Sequence, residues 1–523
     1  MHLPFSLADW LVIAAYLVLL IAGGWIFTPR DTASAHDYFL AGGNVPAWLA
    51  AVSVLSATQS AATFLGGPDF GYGADLTYLT GNLGGLLGAM FVAHVMIPRF
   101  YAIRATTAYE LLTKRFGIRA TRWAGGMFLV GRVFAGGARV YLAAIALAMV
   151  ITGSVDATGI LIAAALLVVA SVLFTFVGGL KSVLWNDLLQ FVVYLGSAVA
   201  VLVFLRLSIP ASNEAIIDAL RNAPGGVDKL RLFDFSMDLS RPFSLLAIVT
   251  GITLLYIANA GMDQDTTQRL LACKDAKTGA RGLYLSVFAT IPTVGLFIVI
   301  GLLLHVFYNR PDLMGGAAAT AGQAFGGEKI SIFMHYILTQ LPGGLRGLVT
   351  IGICAAAVAT TNSALNAMSS VLVQDFYRPW RERRGSVAEH HFVSAGRAGM
   401  GVIGLAMLAM AVASYYWQRH SDMGLLEFAL QVMVFTYAGL LGVYFTALFT
   451  GRGTTGSVVA ALLVGFVVIV VLQPGIARAL GLPEALTSLA FPFQLCIGTF
   501  VAFLVCAAPA GAAGRGQPDG IRA

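Results

Sequence analysis

Residues 45–73 read VPAWLAAVSVLSATQSAATFLGGPDFGYG, an apolar stretch of membrane-crossing length interrupted in its middle by Ser56, Thr58, Gln59, Ser60 and Thr63. Hydrocarbon offers a hydroxyl or a backbone amide no hydrogen-bond partner, so five polar side chains at mid-depth must face protein, water or a ligand. The doublet Gly66-Gly67 followed by Pro68 is expected to end or bend the helix near its far surface. A discontinuous helix leaves carbonyls and amides unpaired, and transporters use such groups to hold cations and small polar solutes near the bilayer midplane. The competing account is plain helix packing, in which Ser and Thr are also common.

Composition sets the frame for that stretch. The chain has 523 residues, 58% of them hydrophobic and only 11% charged, and its mean hydropathy is +0.82. An ordinary soluble protein is excluded. Apolar runs of about 18 residues or more number about thirteen, near 6–27, 45–73, 77–101, 120–150, 155–178, 180–206, 242–263, 275–307, 344–378, 393–416, 424–450, 455–475 and 487–508. The expected fold class is an all-α polytopic membrane protein, one transporter domain over 1–508 with a disordered tail at 509–523. The first run has no basic flank and no small-residue cleavage site, so it is expected to be retained.

Orientation follows from Lys and Arg. With the N-terminus outside and the C-terminus in the cytoplasm, the cytoplasmic loops and tail hold 20 of the 32 basic residues, the outer loops 10, and Arg132 and Arg139 fall within a helix. The expected location is a plasma membrane, the inner membrane of a bacterium. The net charge of +7 then reads as anchoring to anionic membrane lipid, and nucleic acid is not implied. Four cysteines suggest no disulfide framework. No Walker A, HExxH or paired Cys-x-x-Cys motif occurs, which argues against ATP-driven pumping and against an enzyme. No obligate protein partner is evident.

Polar residues inside apolar runs mark the candidate site. Asn82 lies among glycines in YLTGNLGGLLG (78–88). Arg132 and Arg139, seven apart, share a helix face with Ala135 between them. A buried arginine wants an anion, or a structural carboxylate. Asp187, following the Gly178-Gly179 break, must be protonated, paired or bound to a cation. Asn259 and Gly261 weaken a helix of the second half, where the first half has its own interrupted helix. In GICAAAVATTNSALNAMSSV (352–371), small residues permit close approach. Thr360, Thr361, Asn362, Ser363 and Asn366 follow as a polar cluster, with Thr360 and Ser363 on one face. Hydroxyls opposite the open carbonyls of a broken helix would form a cage for Na⁺.

Six motifs in order, DYFLAGGNVPAW (37–48), SAATFLGGPDFGY (60–72), ATTAYELLTKRFG (105–117), FTFVGGLKSVLWNDLLQ (174–190), DQDTTQRLLACKD (263–275) and SALNAMSSVLVQDFY (363–377), resemble the sodium:solute symporter family. The resemblance implies a LeuT-like core of ten helices in two inverted repeats of five, about 45–206 and 242–450, with one extra helix before and two after. It implies a Na⁺ site built from the carbonyls of Ser56, Gln59 and Ala356 and the side chains at 359 and 360. Thr360 matches, whereas Ala359 stands where Ser is usual, so one oxygen is missing. A second sodium of the sialic acid branch would correspond to Asp187, Asn362 and Ser363. Substrate-facing positions would fall on Thr58, Ser60, Thr63 and Asn82. The carboxylate-binding arginine would fall on Ala135 or on Arg132, with Arg139 on the same face.

The expected function is sodium-coupled symport of a small polar solute into the cell by alternating access. The two arginines favour an organic anion, a monocarboxylate or an acidic sugar. The alternatives are a proton-coupled or uncoupled transporter of the same fold, a neutral sugar or amino acid symporter, and a transporter-like sensor.

Overall fold

The computed structural model describes residues 5–27, 35–151, 156–316, 324–325, 328–329, 331–419 and 425–508. The expected tail at 509–523 lies outside them. The described chain is almost entirely helical. The helices used below are α1 (Leu7–Phe27), α2 (Ala47–Thr58), α3 (Ala61–Gly73), α4 (Thr77–Ala102), α5 (Ile118–Ile151), α6 (Ala157–Phe176), α7 (Gly179–Leu207), α8 (Leu245–Gly261), α9 (Gln264–Leu271), α10 (Ala276–Asn309), α11 (Leu345–Glu382), α12 (Glu389–Arg419), α13 (Leu425–Phe449), α14 (Thr455–Val471) and α15 (Phe491–Ala507).

Among the described residues, eight helices are long and apolar enough to cross a bilayer. Two bent pairs, α2 with α3 at 67° and α8 with α9 at 54°, make up to ten. Shorter apolar helices at Leu7–Gly23, Thr455–Val471 and Phe491–Ala507 flank them in sequence. Outward faces are apolar, with Leu173 on α6, Val192 and Val203 on α7, and Val402 and Leu405 on α12 all exposed. Such continuous apolar exposure belongs in lipid.

Local chemistry explains the breaks. Gly179 has φ 57° and ψ −155°, a conformation closed to L side chains, and it divides α6 from α7. The carbonyl of Tyr38 lies against it, so a Cβ there would have no room. The bend in 45–73 falls at Gln59 and Ser60, both extended, and not at the glycine doublet. Pro68 sits inside α3, and Gly67 and Gly71 serve approach instead: a Cβ on Gly67 would meet Phe297, and one on Gly71 would meet Gly301 and Ile298 of α10. Small residues are what let two backbones touch in a membrane. The polar cluster therefore marks the break, and the glycines mark the contact.

The α11 helix runs through the middle of the bundle and is the most enclosed of the long helices. It packs along α6 and α7 on one side and against α2, α3 and α5 on others. The short helix α9 is capped by Asp263, whose carboxylate accepts from the amide of Asp265 at 3.0 Å. The 103–109 loop fastens to the same break. The Tyr109 hydroxyl donates to the Met262 carbonyl at 2.7 Å, and the Gln264 side chain bridges the Ala108 amide and the Thr106 carbonyl.

Candidate functional site

The first break, at Gln59 and Ser60, interrupts the backbone ladder in a helix that packs against α11. Gln59 donates its amide to the Leu55 carbonyl at 2.8 Å, and the Thr58 hydroxyl donates to the same oxygen at 3.0 Å. Beyond that point the chain is extended, so the carbonyls of Ser56 and its neighbours lose the amides that a continuing helix would present. On α11, Thr360 donates its hydroxyl hydrogen to the carbonyls of Ala356 and Ala357, both at 3.0 Å, and a hydroxyl that donates keeps its lone pairs as acceptors. Ser56, Gln59, Ala356, Ala359 and Thr360 are all buried, and α2 contacts α11 directly. Ala359 contributes no side-chain oxygen.

A cavity of about 130 Å³ lies beside the break. Thr58, Gln59, Ser60, Thr63, Arg139 and Asn259 all line it, together with Tyr78, Phe243, Tyr256, Thr266, Ser286, Thr290 and Met433. Tyr78 and Phe243 form an aromatic wall with ring centroids 5.0 Å apart. Asn82 is not on the lining: its amide donates to the Leu79 carbonyl of its own helix at 2.8 Å.

The two arginines of α5 have different surroundings. Among the described residues, the one acceptor that the Arg139 guanidinium reaches is Met433 Sδ, at 3.5 Å, and the residue lines the cavity. Arg132 instead pairs with Asp263 at 3.3 Å and, more closely still, with Asp265. Tyr437 adds its hydroxyl to Asp263 at 2.6 Å. Arg132 thus cross-links α5 to the second break.

Asp187, Asn362 and Ser363 meet a residue that the motif reading passed over. Arg269, on α9 and fully buried, reaches Asp187 Oδ2 at 3.1 Å and Asp265 Oδ1 at 2.6 Å. It also donates to Ser53 at 2.7 Å and to the Ser363 hydroxyl. Ser53 in turn donates to Asp187 Oδ2, while Asp187 Oδ1 has no partner among the described residues. Asn362 directs its amide nitrogen to the carbonyls of Val358 at 3.2 Å and Ser171 at 3.1 Å. The buried network holds three carboxylates, Asp187, Asp263 and Asp265, against two guanidiniums, Arg132 and Arg269. Its formal charge is one negative, and Arg139 in the adjoining cavity brings the total to zero. The signal for this network was the run DQDTTQR (263–269), three charges placed where the second half of the chain is interrupted.

Comparison with known proteins agrees with this architecture. The chain is 26% identical over 475 residues to the sodium/sialic acid symporter SiaT of Proteus mirabilis (strain HI4320), covering 90% of each chain. It is 25% identical over 473 residues to the sodium-coupled monocarboxylate transporter 2 of Danio rerio, covering 88% of this chain and 71% of that one. The substrate-bound, outward-open structure of a Na⁺-coupled sialic acid symporter, described as revealing a novel Na⁺ site, shares its fold with a TM-score of 0.79 at 25% identity, covering 97% of this chain and 99% of that one. The LeuT-like, all-α fold implied by the motifs is the fold observed. Residues 38–465 match the model of the sodium:solute symporter family, and the chain belongs to that family.

Proposed function

We propose that this protein carries a small organic anion, an acidic sugar or a monocarboxylate, into the cell together with Na⁺. The observation that carries the reading is Arg139, a buried guanidinium turned into a cavity that borders the interrupted helix. Burying a cation without an acceptor is costly, and a carboxylate is the group that relieves it. In this reading the sodium ion lies between Ser56, Gln59, Ala356 and Thr360, and the solute lies beside Thr58, Ser60, Thr63, Arg139 and Asn259. The charge balance supports coupling of the two. With the surrounding groups summing to zero, an anion and a sodium ion add no net charge together, whereas either alone leaves one.

Alternating access follows if sodium holds α2 and α3 against α11 in one conformation better than in the other. A ligand with equal affinity for both states would shift neither. The two bent pairs support division into inverted repeats at about 45–206 and 242–450. The distribution of basic residues supports an outward N-terminus and a cytoplasmic C-terminus, in a bacterial inner membrane with the basic loops against anionic lipid.

The test is uptake of sialic acid and of lactate into proteoliposomes, with an inward gradient of sodium or of potassium at fixed pH. Sodium-dependent uptake of at least one acid is expected, falling at least tenfold in Arg139→Gln. A neutral sugar carried equally well by both forms would overturn the anion assignment.

A further inference from the structure

We propose that Arg269 acts as a resident cation, occupying the oxygens of Asp187, Ser53 and Ser363 and thereby restricting this transporter to one bound sodium ion. The proposal rests on the sodium-coupled reading above.

A guanidinium has five N–H donors in a rigid planar fork, and Arg269 uses every one. Nε donates to Ser53. Nη1 donates to the backbone carbonyl and the carboxylate of Asp265, each at 2.6 Å, and Nη2 to Asp187 and Ser363. These acceptors come from four elements, α2, α7, α9 and α11. Such a fork is seated by its surroundings on every side, and Arg269 is fully buried. Moving it would take the guanidinium from two buried carboxylates, leaving, among the described residues, Asp187 only the Ser53 hydroxyl and Asp265 only Arg132.

The oxygens it holds are those a hard cation would choose. A carboxylate and two hydroxyls converge from separate helices, as in an oxygen cage, yet a positive group already sits at bonding distance from each. A sodium ion entering there would lie beside like charge, with only Asp187 Oδ1 of these groups unengaged among the described residues. The neighbouring Asn362, its amide nitrogen turned toward two carbonyls, is neutral and adds no further negative charge. The tether supplies for this cluster what a diffusible ion would otherwise supply. The sodium cage at the first break contains neither Arg269 nor any of these three oxygens, so the two can be separated by mutation.

The test is equilibrium binding of ²²Na⁺ to the purified full-length chain, counting sites. One sodium per chain is expected for the wild type, with a hyperbolic isotherm. Arg269→Gln frees the Asp187 carboxylate and is expected to bind two. Adding Asp187→Asn to that variant, which removes both members of the ion pair together, returns the count to one. Arg269→Lys, which keeps the charge, stays at one. Two sites in the wild type would overturn the proposal, as would one site in a folded Arg269→Gln. No saturable sodium binding by the wild type would instead overturn the sodium-coupled reading itself. If Arg269→Gln does not fold, the wild-type count alone decides between one site and two.

Discussion

Replacing Thr360 by Val removes one oxygen from the proposed sodium cage while keeping the branched shape and its place in α11. The hydroxyl hydrogen is already committed to the carbonyls of Ala356 and Ala357, both at 3.0 Å, so in the proposed cage the lost contribution is the lone pairs offered to the ion. An interaction of a neutral polar group with a charge contributes about 1.5–3 kcal/mol, and about 1.4 kcal/mol corresponds to tenfold in affinity. Sodium should therefore bind about 10- to 100-fold more weakly. Two features keep the effect near that range. Thr360 is buried, so water does not readily take the place of the hydroxyl, and Ala359 beside it has no oxygen to substitute. The assay is the sodium dependence of thermal stabilisation, which reports affinity because a ligand of the folded state stabilises by RT ln(1 + [Na⁺]/Kd). A folded Thr360→Val protein with the wild-type sodium midpoint would refute the placement of the ion between α2 and α11.

Other outcomes follow from contacts already described. Arg132→Ala leaves Asp263 and Asp265 without their shared cation in a buried setting, and breaking such a pair costs about 3–5 kcal/mol; the melting temperature should fall steeply, and retention of wild-type stability would show that the pair carries little. Gly301→Ala sets a methyl against the Pro68 carbonyl and the Gly71 Cα, a clash of the kind that costs about 1–3 kcal/mol in packed interiors, read as a lower melting temperature and as weaker sodium binding if α3 shifts. Glu110, in the loop helix Glu110–Phe116, has its carboxyl held above the ordinary 4.5 by burial, against the pull of the Thr106 and Thr107 amides. The folded state therefore binds the proton more tightly than the unfolded chain does, so stability declines as pH rises from 4.5 through the raised folded value. Glu110→Gln, which keeps the acceptor oxygen, should flatten that decline in melts taken across the range, and an unchanged slope would assign it elsewhere.

Much of this protein follows from the linear chain because a bilayer is an unforgiving solvent. Apolar runs locate helices when each must satisfy its own backbone, and five polar side chains within 45–73 announce a site wherever they end up. Gly178-Gly179 marked a break for the same local reason that Gly179 later shows a positive φ. The sequence could also indicate that Arg132, Arg139 and Asp187 needed partners. It could not say which, since partners hundreds of residues apart are chosen by how helices pack. Tertiary structure turned Arg139 into the cavity and Arg132 onto Asp263 and Asp265, seven residues apart on one helix yet with opposite surroundings. It also placed the bend at Gln59-Ser60 and not at Gly66-Gly67, where the glycines serve close approach, Gly66 to Leu426 of α13 and Gly67 to Phe297 of α10. Finally, it set Arg269 upon Asp187 and Ser363, an assignment open only to the folded chain, in which four separate segments supply the oxygens for one guanidinium.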